Sequence, residues 1–390
     1  MSLNRSLIAP TFHPPLEQAL KQKLARRQER AGSLGELEPL AVRLGLIRNT
    51  LKPKLHDPQL LVFAADHGLA VDGITSHTGE STVAQVQNIV SVRTPLAVFA
   101  RIQGLHFTVV DAGMADPTPR HPMVLARKIA HGTRNTRVNM AMTLDQAQAA
   151  IRAGMEIADT LPGNVLACAG LGEGSEESAA LVLSRLAGLP LRELILRGPQ
   201  MNPDLLAHLM VVLEGALGRH KPVGDPVETL AALGGFEIAM MAGAMLVAAG
   251  KRHVIIVDGL PACAALMVAS RIAAPVTDYC IFARSHGRPG LNLALQHFKA
   301  GPLLELGLES QDGTGAALAW PLLALAQPRD DDAALRAALE AAERGQPVEL
   351  KDHPAQAWVE YAALRRNLDT LPQAQARAFL ERNAGTAVAA

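Results

Sequence analysis

The segment Gln311-Asp312-Gly313-Thr314-Gly315-Ala316 places a carboxylate on a glycine-rich turn, immediately before the apolar segment ALAWPLLALA. A carboxylate beside apolar walls can have a raised pKa and serve as a general base. The same residues also fit a structural role, because Asp312 or Thr314 can cap the helix that follows. The turn by itself favours the cap and leaves the general base as the alternative.

A second glycine-rich turn, Gly170-Leu171-Gly172-Glu173-Gly174-Ser175, lies between an apolar run and a helix-like segment. Backbone N–H groups of such a loop can bind a phosphate at a helix N-terminus. The acids Glu173, Glu176 and Glu177 would repel a phosphate, and acids in a first turn already complement the helix dipole. The loop is therefore either a phosphate site or a tight turn.

The third candidate, Arg284-Ser285-His286-Gly287-Arg288, collects two guanidinium groups and an imidazole. This set suits an anionic substrate group, although surface loops also collect Arg and His without a function.

Metal chemistry has little support in the sequence. The 13 His show no ligand spacing, and the 3 Cys lie far apart in apolar runs. We predict that Cys168, Cys263 and Cys280 are buried free thiols.

These residues must be positioned by regular elements, and the chain alternates short apolar runs with Ala- and Leu-rich segments of helical length. This alternation is typical of βαβ units, and runs that are apolar on both faces are typical of buried parallel strands. The predicted fold is a doubly wound α/β domain with a parallel sheet. The predicted strand runs are Leu60–Gly68, His106–Gly113, Asn164–Gly170, Glu193–Gly198, His253–Gly259 and Asp278–Arg284.

Polar groups stand at the ends of most of these runs. In a doubly wound sheet the ligand lies outside the carboxyl ends of the strands, so a shared cleft is predicted there. Any single one of these groups could instead be an ordinary turn or helix cap. The groups are Asp66, His67, Asp111, the glycines from Gly170, Arg197, Gly198 and Asp258.

Three segments are predicted along the chain. Residues 1–48 form an N-terminal helical part, 49–325 the α/β domain, and 326–390 a C-terminal helical extension that packs with the N-terminal part as a smaller domain.

The composition argues against several classes of function. The chain has 390 residues with 37 Lys plus Arg against 37 Asp plus Glu, so its formal net charge is zero. A protein that binds nucleic acid through phosphate neutralisation needs a surplus of Lys and Arg. No apolar run is long enough to span a membrane, and the first residues lack the apolar region of a secretory signal. A cytoplasmic protein is predicted.

Taken together, the motifs resemble the nicotinate-nucleotide:dimethylbenzimidazole phosphoribosyltransferase family. Their order along the chain is more specific than any one of them. The matching segments are Gly32–Gly35 with Leu37 and Glu38, Ala65–Gly68, Gln85, Val109–Gly113, His131–Asn135 with Ala141–Thr143, Arg197 and Gly198, Leu233–Ile238, Val257–Gly259 and Asp312–Ala317.

The resemblance implies a Rossmann-like large domain, a smaller helical domain from both chain ends, a homodimer and no cofactor. It also implies transfer of phosphoribose from nicotinate mononucleotide to a benzimidazole, with Asp312 at the position of the family's general base. The implied acceptor-base residues are Asp66, His67, His77 and Gln85. The implied donor ribose and phosphate residues are Gly170, Gly172, Gly174, Ser175, Arg197, Gly198, Asp258 and Arg284.

The sequence departs from the family pattern at the donor side. Asp312 replaces a glutamate and is one methylene shorter, a displacement of about 1 Å that can cost about a hundredfold in rate. Acids occupy the phosphate loop, and Ala283-Arg284-Ser285-His286 stands in place of the family's SH.S strand-end motif. A lysine expected in the helix after the GRG turn falls near His208 and Leu209. The C-terminal stretch from Pro328 exceeds the family pattern.

Two alternatives therefore stay open. One is a re-purposed binding protein that has kept the fold, since fold alone does not determine function. The other is a glycosyltransferase whose donor lacks the phosphate.

Overall fold

The computed structural model describes residues 8–74, 80–196, 201–220, 224–285, 289–310, 312–327, 341, 344 and 373–382. The chain divides into two compact units, Met1–Gln327 and Pro328–Ala390. The division at residues 48 and 325, and the joint small domain, stay predictions. His77, Arg197 and Gly198 lie outside the described residues.

The described part of the first unit is built on a seven-stranded, all-parallel sheet with the order β3-β2-β1-β4-β5-β6-β7. This result confirms the predicted doubly wound α/β class. The order reverses between β1 and β4, the switch point at which such sheets bind ligands. The strands are β1 (Gln59–Ala65), β2 (His106–Gly113), β3 (Val124–Ala126), β4 (Val165–Leu171), β5 (Val254–Asp258), β6 (Cys280–Arg284) and β7 (Pro302–Leu304).

Every residue of β1, β4 and β5 is buried, as expected for strands covered by helices on both faces. Five of the six predicted runs contain a strand. The exception is Glu193–Gly198, because its described beginning belongs to a helix, Leu191–Ile195. Leu191, Leu194 and Ile195 are buried at helical spacing, and so short an apolar run does not distinguish strand from helix. The short edge strands β3 and β7 were not predicted.

Helices account for most of the remaining described chain, and two 3-10 helices, Gly68–Asp72 and Ala274–Tyr279, join them. The α-helices are α1 (Pro14–Ala31), α2 (Leu37–Arg48), α3 (Thr82–Val90), α4 (Pro95–Ile102), α5 (Leu144–Thr160), α6 (Ser175–Ala187), α7 (Leu191–Ile195), α8 (Pro203–Arg219), α9 (Pro226–Leu233), α10 (Phe236–Gly250), α11 (Leu260–Ile272), α12 (Pro289–His297), α13 (Thr314–Ala326) and α14 (Gln373–Arg382).

Two groups of helices pack on the sheet. α5, α10 and α11 form one group, in which α10 contacts both of the others, and α13 packs with α2 and α4 in the second. The crossing of α5 and α10 is close because both helices carry glycine at the contact. A Cβ on Gly154 would lie 1.9 Å from the Met240 carbonyl oxygen, and one on Gly243 would lie 2.0 Å from that of Ile151. These backbones therefore touch without intervening side chains.

The prediction for the three cysteines is confirmed. Cys168, Cys263 and Cys280 are buried free thiols, and burial raises the pKa of each. None of the described helices has the length and apolar character that a membrane span requires.

Candidate active site

Asp66 follows β1 directly, and its carboxylate joins several neighbouring segments. Oδ2 accepts a hydrogen bond of 2.7 Å from the backbone N–H of Ala115, after β2. Oδ1 accepts hydrogen bonds from the hydroxyl of Thr82, at the start of α3, and from the backbone N–H of Glu173 at 3.4 Å. Asp66 thus holds the loops after β1, β2 and β4 at one point on the carboxyl edge of the sheet.

His67 belongs to a buried polar network. Its Nε2 lies 2.9 Å from Oε1 of Glu237, near the start of α10, and the hydroxyl of Ser175 donates to the same oxygen at 2.8 Å. All three residues are buried, and Oε2 of Glu237 has no hydrogen-bond partner among the described residues. The network joins the end of β1 to the first residue of α6.

The negative charge of Glu237 determines the protonation state of His67. Burial by itself would lower the pKa of the imidazole, but Glu237, with smaller contributions from Asp66 and Glu177, outweighs it, so the pKa of His67 is raised. A buried carboxylate is costly unless it is paired with an opposite charge. We therefore expect an imidazolium–carboxylate pair, which leaves His67 engaged inside the protein.

The glycine-rich loop after β4 follows the backbone of β1 closely. Gly172 has φ +144°, and a Cβ there would lie 1.7 Å from the carbonyl oxygen of Ala65. Gly174 has φ +82°, and its Cβ would lie 2.9 Å from Cβ of His67. A larger residue is strained at both positions. The tight-turn explanation accounts for these glycines, whereas their predicted contact with a donor phosphate stays a prediction.

Asp312 lies on the turn before α13 and is 9% exposed. Its Oδ1 accepts hydrogen bonds from the backbone N–H and the hydroxyl of Thr314, at 3.1 Å and 2.6 Å. Burial raises the pKa of Asp312, the bonds from Thr314 oppose the rise, and the charge of Asp258 adds to it. The carboxyl therefore has the environment of a general base.

Asp258 and Arg284 form a buried ion pair at the ends of β5 and β6. Nε of Arg284 lies 2.6 Å from Oδ1 of Asp258, and Arg284 is 3% exposed and Asp258 1% exposed. Arg284 also donates to the backbone carbonyls of Leu308 and Ser310. The guanidinium is thus engaged with acceptors inside the protein.

The Asp312 turn packs directly on the central strands. Gly313 has φ +95°, and a Cβ there would lie 3.0 Å from the side chain of Leu60 on β1 and 3.4 Å from that of Ala169 on β4. Ala169 immediately precedes the glycine-rich loop. The fold therefore brings the Asp312 turn, the Asp258–Arg284 pair and the loop from Gly170 to one region of the sheet.

The other predicted residues contribute less to this geometry. Gln85 is half-buried on α3, and its side-chain N–H donates to the carbonyl of Glu80 at 3.1 Å. Gly170 packs against Pro261 and Met241, where a Cβ would lie 2.6 Å and 2.9 Å from their side-chain atoms. The roles predicted for His77, Arg197 and Gly198 fall on residues that the structure does not describe.

Sequence reasoning did not single out Glu237 or Thr82 as site residues. A signal existed for Glu237, because it is the only acid in the otherwise apolar helix α10, where a carboxylate must find a partner. Thr82 gives no such signal, since a threonine at the start of a helix is common and its bond to Asp66 connects distant segments.

The described residues combine a buried carboxyl, backbone N–H groups of a glycine-rich loop and a rigid sheet edge. A buried carboxyl can take a proton from a ring nitrogen that attacks an electrophilic carbon. Within the described ranges, no group of three or more His, Cys, Asp or Glu is placed to hold a metal ion. The chemistry that these residues themselves offer is proton removal at a held substrate.

Comparison with known proteins identifies related sequences and folds. A family model described as Phosphoribosyltransferase matches residues 9–334. The nicotinate-nucleotide--dimethylbenzimidazole phosphoribosyltransferase of Cupriavidus taiwanensis is 44% identical over 320 residues, which are 80% of this chain and 92% of that relative. The protein of the same name from Variovorax paradoxus is 40% identical over 78% of this chain and 87% of its own. The crystal structure of CobT from Thermus thermophilus superposes with a TM-score of 0.75 at 30% identity, covering 80% of this chain and 95% of that one.

Proposed function

Because this chain belongs to the phosphoribosyltransferase family, we propose that it transfers phosphoribose from nicotinate mononucleotide to dimethylbenzimidazole or a related base. The products are α-ribazole phosphate and nicotinate. The observation that carries the proposal is the 44% identity over 92% of a relative that bears the name of this activity. The proposed base is Asp312.

The proposed reaction forms one C–N bond and breaks another at the anomeric carbon. One ring nitrogen of the benzimidazole attacks that carbon while Asp312 takes the proton from the N–H group of the ring. The bond to the pyridinium nitrogen breaks, its electron pair returns to the ring, and nicotinate leaves. The positive charge of the pyridinium is lost in this step, which favours departure of the leaving group.

Asp312 suits this role in its electrostatic environment. A base is most effective when its pKa lies near the working pH, and burial moves the carboxyl in that direction. The two bonds from Thr314 fix the position of Oδ1. Fixed orientation is a large part of what an enzyme contributes to such a step.

The other substrate contacts are also proposals. Asp66 and His67 at the end of β1, and Gln85 on α3, are assigned with His77 to the acceptor base. The loop Gly170–Ser175, with Arg197 and Gly198, is assigned to the donor. The contacts of Asp258 and Arg284 with each other and with backbone groups favour a different role for these two residues.

We propose a cytoplasmic homodimer, as the family resemblance suggests. Light scattering coupled to size exclusion would give the mass of the particle in solution. A mass of one chain, 41.3 kDa, would contradict the dimer.

The proposed function is tested by incubating the purified protein with nicotinate mononucleotide and dimethylbenzimidazole and separating the products by chromatography. We expect equal amounts of nicotinate and α-ribazole phosphate. Calorimetric titration with nicotinate mononucleotide alone provides the second readout. Binding without products would point to another acceptor, and the absence of both binding and products would overturn the proposal.

A further inference from the structure

Arg284 terminates β6 with its charged group turned into the protein. The residue is 3% exposed, and its guanidinium donates to the Asp258 carboxylate and to the carbonyls of Leu308 and Ser310. Those two carbonyls belong to the segment between β7 and the Asp312 turn. Arg284 therefore holds the chain that enters the turn.

Asp258 holds the chain that leaves the turn. Its Oδ1 binds Arg284, while its Oδ2 accepts a hydrogen bond of 2.9 Å from the backbone N–H of Ala316, in the first turn of α13. Asp258 is 1% exposed at the end of β5. The carboxylate thus binds the positive N-terminal end of the helix and the arginine together.

Gly315 allows the helix to approach the ion pair. A Cβ at this position would lie 2.6 Å from Cδ of Arg284 and 2.7 Å from Oδ1 of Asp258. The pair therefore contacts the chain at Ser310 before Asp312 and at Gly315 and Ala316 after it. Asp312 lies between two fixed points.

The pair also controls the charge near Asp312. Among the described residues, Asp258 is the charged group that acts most strongly on the Asp312 carboxyl, and it raises the pKa of that group. Arg284 neutralises Asp258. Of the other titratable groups around the turn, burial raises the pKa of the Cys263 thiol and keeps it neutral, and Glu309 is exposed to solvent.

We propose that Asp258 and Arg284 are positioning residues that bracket the Asp312 turn and balance the charge that the Asp312 carboxyl experiences. This inference rests on the proposed function for its catalytic consequence. This role of Arg284 differs from binding of the donor phosphate. A residue that binds the phosphate would change the affinity for nicotinate mononucleotide.

The pH dependence of kcat/KM in Asp258→Asn and Arg284→Met tests the proposal, with Glu309→Gln as the matched control. Removal of the Asp258 charge should move the acid limb to lower pH, and removal of the Arg284 charge should move it to higher pH. Both variants should lose about tenfold to a hundredfold in kcat, because the turn loses one of its fixed points. The control should match the wild type.

Two results would overturn the inference. If both variants lose the same factor in kcat and the acid limbs of their kcat/KM profiles do not shift, the pair has only a structural role. A large rise in KM for nicotinate mononucleotide in Arg284→Met, with kcat retained, would instead indicate a phosphate contact.

Removing one partner of a buried ion pair can prevent folding, whereas removing both is often tolerated. The double variant Asp258→Asn with Arg284→Met therefore provides a second test. We expect it to fold, to lose kcat as the single variants do, and to keep its acid limb near that of the wild type. Wild-type kcat in this variant would contradict the bracketing role.

A readout without catalysis separates this inference from the proposed function. Carboxyl NMR of aspartate-labelled protein, assigned with Asp312→Asn, follows the Asp312 titration directly. Opposite shifts in the two single variants would support the charge balance even if the wild type released no nicotinate. If the wild type is active and the Asp312 titration in both single variants is the same as in the wild type, the inference is overturned.

Discussion

Oδ1 of Asp312 accepts hydrogen bonds from both the backbone N–H and the hydroxyl of Thr314, two residues further along the chain. The sequence left a helix cap and a general base as alternatives for this carboxylate. The cap alternative is wrong, because the N-cap of α13 is Gly313 and no side chain caps this helix. Asp312 instead makes a local turn contact with Thr314, in a buried position where its pKa is raised, and this contact orients the proposed base.

Asp312→Asn should stabilise the folded protein at neutral and alkaline pH. The pKa of Asp312 is raised in the folded state, so stability is lost as pH rises through that value and the buried group becomes charged. Asparagine keeps the acceptor oxygen and carries no charge. Urea unfolding at several pH values should show a higher free energy of unfolding for Asp312→Asn than for the wild type, and this difference should disappear at acid pH. A variant less stable than the wild type above neutral pH would contradict this prediction.

Glu237→Gln should remove a pH dependence of stability. The raised pKa of His67 means that the His67–Glu237 pair stabilises the fold at low pH, and that this stability is lost as pH rises through the folded-state value. At pH values where His67 is protonated, the variant should lose about 3 kcal/mol, the lower end for breaking a buried pair, because the imidazole can release its proton. Unfolding free energies from about pH 5 to about pH 8, the usual histidine range, and then at higher pH until they no longer change, provide the measurement.

Glu214→Gln is the matched control for that experiment, because Glu214 is exposed on α8. It should follow the wild-type curve. If the free energy of unfolding depends on pH equally in Glu237→Gln and the wild type, Glu237 does not raise the pKa of His67.

Gly172→Ala should be among the most destabilising small substitutions in the chain. The added Cβ would lie 1.7 Å from the Ala65 carbonyl oxygen, at φ +144°, so β1 and the loop must separate. A loss of about 3 kcal/mol or more is expected from a strained site of this kind.

Gly218→Ala serves as the comparison, since a Cβ there meets nothing within 4 Å and the residue lies in α8. It should stabilise the protein by up to about 1 kcal/mol. Chemical denaturation of both variants gives the difference. Similar stabilities for the two would refute the close approach of Gly172 to β1.

The three thiols should resist modification in the native protein. Cys168, Cys263 and Cys280 are buried, and burial raises the pKa of each, so almost no reactive thiolate is available. A colorimetric thiol reagent should label them only after denaturation. Rapid labelling of the folded protein would place at least one thiol at the surface.

Local sequence patterns predicted the parallel sheet because its central strands are apolar on both faces. The Asp312 turn and the glycine-rich loop were also predicted, since each combines glycines with a polar group at the end of a strand. The strand predicted from Glu193 was wrong, because the spacing of the buried residues Leu191, Leu194 and Ile195 is compatible with a helix as well as with a strand.

The polar pairs could not be predicted because their partners are remote in sequence. His67 meets Glu237 across 170 positions, and Arg284 reaches Asp258 across 26. Arg284 in a loop with His286 and Arg288 suggested an anion site, whereas its guanidinium contacts acceptors within the fold. Only the packing of β5, β6 and α13 shows where its donors are directed.

The most direct test of the proposed mechanism is the steady-state rate of nicotinate release by Asp312→Asn and by the wild type, with nicotinate mononucleotide and dimethylbenzimidazole as substrates. Glu309→Gln is the control for loss of a nearby acid. If Asp312 removes the ring proton, kcat of Asp312→Asn should fall about a hundredfold or more, the scale of general-base catalysis, with donor binding retained. Wild-type kcat in Asp312→Asn would contradict the role of Asp312 as the base.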